Sequence, residues 1–230
     1  TSIDGLKAAG VAAGIKASGA PDVALLVSDV PMTAAGIFTT NHFAAAPVKL
    51  CKSHLLRSHG QVRAVVVNSG NANACTGADG ERDALAMCEQ VARALGCPTH
   101  EVLVCSTGVI GVKLPMEKVR SGIDAALGAL SSEPEAGRRF LSAIMTTDAF
   151  PKEASARHGD GLTAGVAKGA GMIQPNMATM LAFVAMNYDL RAEQMKRALP
   201  GIAAASFNAV HVDTHTSTND TFLLLSRKGV

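Results

Sequence analysis

Val62 to Val67 (VRAVVV) is the segment that most restricts the fold, and it runs straight into Asn68-Ser69-Gly70-Asn71-Ala72-Asn73. Branching at Cβ limits side-chain rotation in a helix and packs well on a pleated surface, so this short run predicts a buried strand. Val23 to Ser28, Gly36 to Thr40, Glu101 to Cys105 and Met177 to Met186 also read as strands. Lys152 to Arg157 and Leu162 to Ala167 alternate like paired strands. Thr221 to Ser226 is a fully apolar strand, which calls for neighbours on both sides.

Helical stripes lie between the strands. Leu85, Cys88, Val91, Ala92 and Leu95 share one face, and Gly96 follows as a natural stop. Pro115 opens a second helix with Met116, Val119, Ile123, Leu127 and Leu130 on one face. A third starts near Pro134 and carries Phe140, Leu141, Ile144 and Met145. Arg191 to Ala205 reads as a helix broken at Pro200-Gly201. Pro47 to Cys51 is a short apolar piece leading to a helical turn before Gly60. The first twenty residues, with Gly5, Gly10, Gly14 and Gly19, read as a close-packed segment of turns. The expectation is one compact α+β unit.

Composition narrows the function. Of 230 residues 48% are apolar and 17% charged, enough to bury a sizeable core. A net charge of +2 and 3% aromatics, with no Trp, argue against a nucleic-acid binder. Five cysteines, Cys51, Cys75, Cys88, Cys97 and Cys105, form no C-x-x-C pair, so reduced thiols and a cytoplasmic setting are expected. No apolar run of membrane length and no signal peptide is evident, although the chain does not begin with Met.

Polar residues gather where strands end, which is where sites usually form. Besides Asn68 to Asn73, these loops are Ser106-Thr107-Gly108, Thr146-Thr147-Asp148, and Lys168-Gly169-Ala170-Gly171 through Asn176-Met177-Ala178-Thr179. A Thr hydroxyl beside a Gly amide suits a two-donor oxyanion hole. The G-x-G after Lys168 lacks the third glycine of a dinucleotide fingerprint. His211-Val212-Asp213-Thr214-His215 puts three polar side chains on one strand face. It reads as a solvated face, and no metal is expected. No G-x-S-x-G elbow is present, and Cys75 and Cys105 need no catalytic role.

The segment Pro175 to Leu181 carries the sharpest chemistry. A Gly- and Pro-containing loop that presents the Ala178 carbonyl to the Thr179 hydroxyl suits self-cleavage. The Thr179 amine so released has a reference pKa of about 7.7–8.0 and can act as base for its own hydroxyl.

Five blocks then resemble one family: KGAGMIQPNMATML (Lys168 to Leu181), VVNSGNANACTG (Val66 to Gly77), CSTGVIG (Cys105 to Gly111), IMTTDAFPKE (Ile144 to Glu153) and STNDT (Ser217 to Thr221). They look like the ornithine acetyltransferases, also called glutamate N-acetyltransferases, of arginine biosynthesis. The opening GVAAGIKASG (Gly10 to Gly19) fits as well.

The resemblance implies cleavage between Ala178 and Thr179, giving an α chain (1–178) and the start of a β chain (179–230). It implies Thr179 as nucleophile, acetylated by N-acetyl-L-ornithine and deacetylated by L-glutamate. Thr107 and Gly108 match the oxyanion pair, and Thr146, Lys168 and Thr179 match substrate contacts. It implies a layered αββα sandwich, similar to N-terminal-nucleophile hydrolases but differently connected, and a heterotetramer of two α and two β chains. No cofactor is required, and acetyl-CoA stays open as a second acetyl donor. The family's further C-terminal lobe is expected to be missing here, and Thr214-His215 stand where the family has Gly-Asp. Two other readings remain: a hydrolase using the same Thr, and an unprocessed, inactive fragment.

Overall fold

The structure, a computed structural model, describes residues 3–170, 180–209 and 216–227. The strands are β1 (Leu6–Val11), β2 (Val23–Phe38), β3 (Gln61–Asn71), β4 (Val102–Val109), β5 (Lys152–His158), β6 (Gly161–Lys168), β7 (Leu181–Met186) and β8 (Thr221–Ser226). The helices are α1 (Ala46–Arg57), α2 (Gly77–Leu95), α3 (Met116–Gly128), α4 (Pro134–Ile144) and α5 (Ala192–Ala205). The sheet order is β4-β3-β2-β8-β7-β6-β5, with β1 also paired to β2. The β3–β4 and β7–β8 pairs are parallel and the others antiparallel.

One long strand organises the whole. The first half of β2 pairs with β1 and β3, and its second half pairs with β8. Its register against β3 shifts between Val27 and Met32, where Asp29, Val30 and Pro31 are exposed. Pro31 has no N–H to give to a ladder, so the strand bulges and bends there. The sheet folds into two leaves, β1–β4 and β5–β8, hinged on β2. Leu6 and Leu26 of one leaf share a core with Phe183 and Leu223 of the other. Phe140 of α4 meets Phe183 edge to face at 5.4 Å. Helices α1, α2 and α3 cover the first leaf. Met195, Leu199 and Ala203 of α5 pack on Ala35, Ala182, Phe222 and Leu224 of the second. The expected helix-sheet-sheet-helix layering is present, with both sheet layers belonging to one continuous sheet.

Several expectations need correction. Leu6–Val11 is a strand rather than turns, because its backbone pairs residue for residue with Val23–Ser28 of β2. The two segments expected at Val23 to Ser28 and Gly36 to Thr40 are one strand ending at Phe38. Pro47 to Cys51 lies inside α1, whose buried face includes Val48, Cys51 and Leu55. Helix α5 continues through Pro200, which is exposed while Ala192, Met195, Leu199 and Ala203 bury the opposite stripe. Leu85 sits on the exposed side of α2. Gly96, at φ 64°, ends that helix as expected. Thr221–Ser226 is wholly buried between β2 and β7, as its apolar run requires. Strand β7 begins at Leu181, and residues 177–179 of the expected strand lie outside the described residues.

Candidate active site

The bend in β2 decides where the polar loops meet. It brings the carboxyl ends of β3 and β4 in one leaf against the amino ends of β7 and β8 in the other. Asn219, just before β8, donates from Nδ2 to Ala72 O at 2.6 Å and to Ser106 O at 2.9 Å. Asp220 Oδ1 accepts from the Met180 amide at 2.7 Å, and Thr221 N donates to Met180 O at 3.0 Å. The segment Ser217 to Thr221 therefore bridges the Ser106-Thr107-Gly108 loop and the residue that follows Thr179.

Lys168 ends β6 in the same region. It is only 3% exposed, and its Nζ donates to Thr107 Oγ1 at 3.0 Å. Burial lowers its pKa to about 8, opposed by the nearby carboxylates of Asp148 and Asp220. Asp220 is fully buried, and burial raises its pKa to about 7 despite the Met180 amide, the Ser217 hydroxyl and Lys168. Its second oxygen, Oδ2, is buried with no hydrogen-bond partner among the described residues.

Asp148 joins the cluster from the Thr146-Thr147-Asp148 loop. Its Oδ1 accepts from Lys152 Nζ at 2.6 Å and from Gly169 N at 2.7 Å, and its Oδ2 accepts from Thr146 N at 3.2 Å. Burial alone would raise its pKa, but these donors and Lys168 leave it lowered. Thr146 is exposed, one bond from this anion. Lys16 also lies here. Its side chain stands beside Gly70, and burial lowers its pKa against the pull of Asp22 and Asp148.

Gly108 is demanded by close approach. At φ 134°, a Cβ on it would stand 2.3 Å from the Gly70 carbonyl carbon and 2.5 Å from Asn71 N. The β3–β4 register breaks there, so two backbones touch where any other residue would clash. The asparagines of the neighbouring loop are spent internally. Asn68 binds Ser106 Oγ and Asn71 O, Asn71 binds Val112 O and Lys113 O, and Asn73 binds Gly80 O. They shape the loop rather than offering donors to a ligand.

The structure thus brings together Thr107, Gly108, Thr146 and Lys168. Ala178 and Thr179 lie outside the described residues, as do His211, Asp213 and His215. Asp148, Asp220, Asn219 and Lys16 were not named as site residues from sequence, although Asp148 lies in one of the polar loops noted there. A signal existed for each: all four lie in blocks that resemble the family, and Asp220 opens a fully apolar strand. The buried free thiols of Cys88 and Cys105 are pushed well above the usual range, Cys88 by burial and Cys105 by a hydrogen bond with the Cys51 thiol and by burial. Neither suits a nucleophile. Among the described residues no group of three His, Cys, Asp or Glu side chains could hold a metal, and no helix is long and apolar enough to cross a membrane.

A folded-over α+β sheet with a Thr-Lys-Asp cluster at its seam defines a class. The aminopeptidase/esterase-amidase of Ochrobactrum anthropi, described as a variant of the Ntn hydrolase fold, superposes with a TM-score of 0.56 over 97% of this chain and 72% of that chain. At 14% identity it shares the fold alone. The chain belongs to the ArgJ family, whose model matches residues 7–230.

It is 52% identical over 228 residues to the arginine biosynthesis bifunctional protein ArgJ of Symbiobacterium thermophilum, covering 96% of this chain and 56% of that protein. The ArgJ protein of Rhodopirellula baltica is 49% identical over 225 residues, covering 96% of this chain and 54% of that protein. The chain spans about half the length of the curated relatives it matches. The ornithine acetyltransferase of Mycobacterium tuberculosis, solved in complex with ornithine, is 43% identical with a TM-score of 0.72, over 78% of this chain and 94% of that chain.

Proposed function

We propose that this chain is part of an acetyltransferase that moves an acetyl group from N-acetyl-L-ornithine to L-glutamate in arginine biosynthesis, with Thr179 as nucleophile. The observation that carries this reading is the meeting of Lys168, Thr107 and Asp220 beside Met180, which follows Thr179 and precedes β7. Family membership supplies the reaction class.

Maturation comes first. The Thr179 hydroxyl attacks the Ala178 carbonyl carbon, the peptide C–N bond breaks, and an ester links Ala178 to Thr179. Water hydrolyses that ester and leaves the Ala178 carboxylate and a free Thr179 amine. The match to the Mycobacterium tuberculosis structure supports a cut here: 94% of that chain is covered by 78% of this one. Residues 1–178 are about 77% of its length.

In transfer, the Thr179 amine takes the hydroxyl proton as Oγ attacks the acetyl carbonyl, then returns it to the departing ornithine amine. Thr107 and the Gly108 amide stabilise the oxyanion. Thr146 and Lys168 contact the shared amino-acid portion of donor and acceptor. The glutamate amine then attacks the acetyl ester, its proton passes through the Thr179 amine to Oγ as the ester C–O bond breaks, and N-acetylglutamate leaves the regenerated Thr179 hydroxyl. Because donor and acceptor use one pocket in turn, the acetyl group needs no carrier beyond Thr179, and acetyl-CoA is a testable alternative donor. The working assembly in this reading is two α and two β chains in the cytoplasm.

The test is Thr179→Ala in the full-length protein. One band on a denaturing gel and no acetyl transfer are expected, whereas Thr179→Ser retains slow cleavage. Two chains from the Ala variant exclude Thr179. Release of free acetate in place of N-acetylglutamate by the wild type replaces transfer with hydrolysis.

A further inference from the structure

A lysine ammonium has three donors and no acceptor, whereas a threonine hydroxyl can act as either. The 3.0 Å contact from Lys168 Nζ therefore fixes Thr107 Oγ1 as the acceptor. Thr107 is 6% exposed and Lys168 3%, so little water competes for either group. We propose that Lys168 is a positioning residue for the oxyanion donor: by donating to Thr107 Oγ1 it turns the hydroxyl proton away from itself and keeps it available to an incoming oxyanion. This rests on the acetyl-transfer reading above, and it adds to any contact that Lys168 makes with substrate.

The surroundings maintain the arrangement. Asp148 and Asp220 favour the charged ammonium, while burial, Lys152 and Lys16 oppose it. Asp148 is itself anchored by the Gly169 amide and Lys152, so its charge stays in place. With its pKa at about 8, Lys168 is protonated at neutral pH and loses its proton just above. A neutral amine is an acceptor. Thr107 can then turn its proton inward, and the donor is withdrawn. Charged hydrogen bonds also polarise the hydroxyl, which strengthens it as a donor while the ammonium persists.

The experiment measures kcat and KM for acetyl transfer by the full-length protein in four forms: wild type, Thr107→Ala, Lys168→Met and the double variant. Thr107→Ala is expected to lower kcat by about 10²–10³-fold. Lys168→Met is expected to lower kcat by about 10- to 100-fold in the wild-type background, the factor for one hydrogen bond to a charged group. In the Thr107→Ala background the same change should cost less than about 2-fold in kcat, because the group it positions is gone. Any direct contact with substrate appears separately, as a KM effect present in both backgrounds.

Wild-type kcat should fall above about pH 8, and Thr107→Ser should keep that fall while Thr107→Ala abolishes it. An equal kcat penalty from Lys168→Met in both backgrounds, or an alkaline fall that persists in Thr107→Ala, overturns the proposal. If circular dichroism shows that Lys168→Met does not fold, the pH comparison decides alone. Loss of kcat in Thr107→Ala with additive Lys168→Met leaves the transfer reading standing and removes only this role. No loss in Thr107→Ala removes the oxyanion assignment and this role with it.

Discussion

Asp220 shows how a single buried carboxyl can cost stability for the sake of a site. Its pKa rises from 3.8 to about 7 on folding, chiefly because burial disfavours the anion. A raised pKa means that the folded state binds the proton more tightly. The stabilisation is complete below pH 3.8 and is lost as pH rises through about 7. Asp220→Asn removes this dependence yet keeps an oxygen for the Met180 amide. Unfolding at pH 5 and pH 8 should show the variant gaining on the wild type at the higher pH, by about 3 kcal/mol for the two units between pH 5 and 7 at 1.36 kcal/mol per unit. Equal differences at both pH values would mean that Asp220 is ionised throughout. In the sequence Asp220 is only one residue of the Ser217 to Thr221 block, because nothing in Asn219-Asp220-Thr221 tells that the carboxyl lies deep between two leaves.

Helix α5 illustrates burial outweighing a local breaker. Pro200 removes one helical hydrogen bond, yet the stripe Ala192, Met195, Leu199 and Ala203 has a matching apolar face on β2 and β8. The proline ring lies on the solvent side, so the helix tolerates it. Pro200→Ala should restore the missing N–H and stabilise the protein by about 1–3 kcal/mol in denaturant unfolding. A loss of stability would show instead that the proline fixes the helix's direction. Strand β2 carries the opposite lesson. Its sequence separates into two apolar stretches around Asp29-Val30-Pro31, and reading them as two strands followed from that polar interval. Only the ladders to β1, β3 and β8 make them one bent element.

At the scale of the molecule, the cut proposed between Ala178 and Thr179 leaves its two products interlocked. Strand β7 pairs with β6 over six residues, and β8 pairs with β2 over another six, so the later segment sits as the middle of the sheet. The cleaved chains should co-purify through gel filtration at neutral pH and part only in denaturant. Their separation without denaturant would contradict the central placement of β7 and β8. Much of this architecture was already written locally. The valine run of β3, the apolar run of β8, the stripes of α2, α3 and α4, and the pairing of β5 with β6 are short-range patterns, and alternation or 3.6-residue spacing reveals them directly. The loops that carry Thr107, Gly108, Thr146 and Lys168 stood out because polar groups gather at strand ends in so apolar a chain, and the family resemblance picked those residues within them. Their assembly was decided elsewhere. The fold-over at Pro31, the tie from Asn219 to Ala72 and Ser106, and the contact of Lys168 with Thr107 join residues far apart in sequence. So do the shifted pKa values of Lys168 and Asp220, since desolvation belongs to a buried position and not to a residue type.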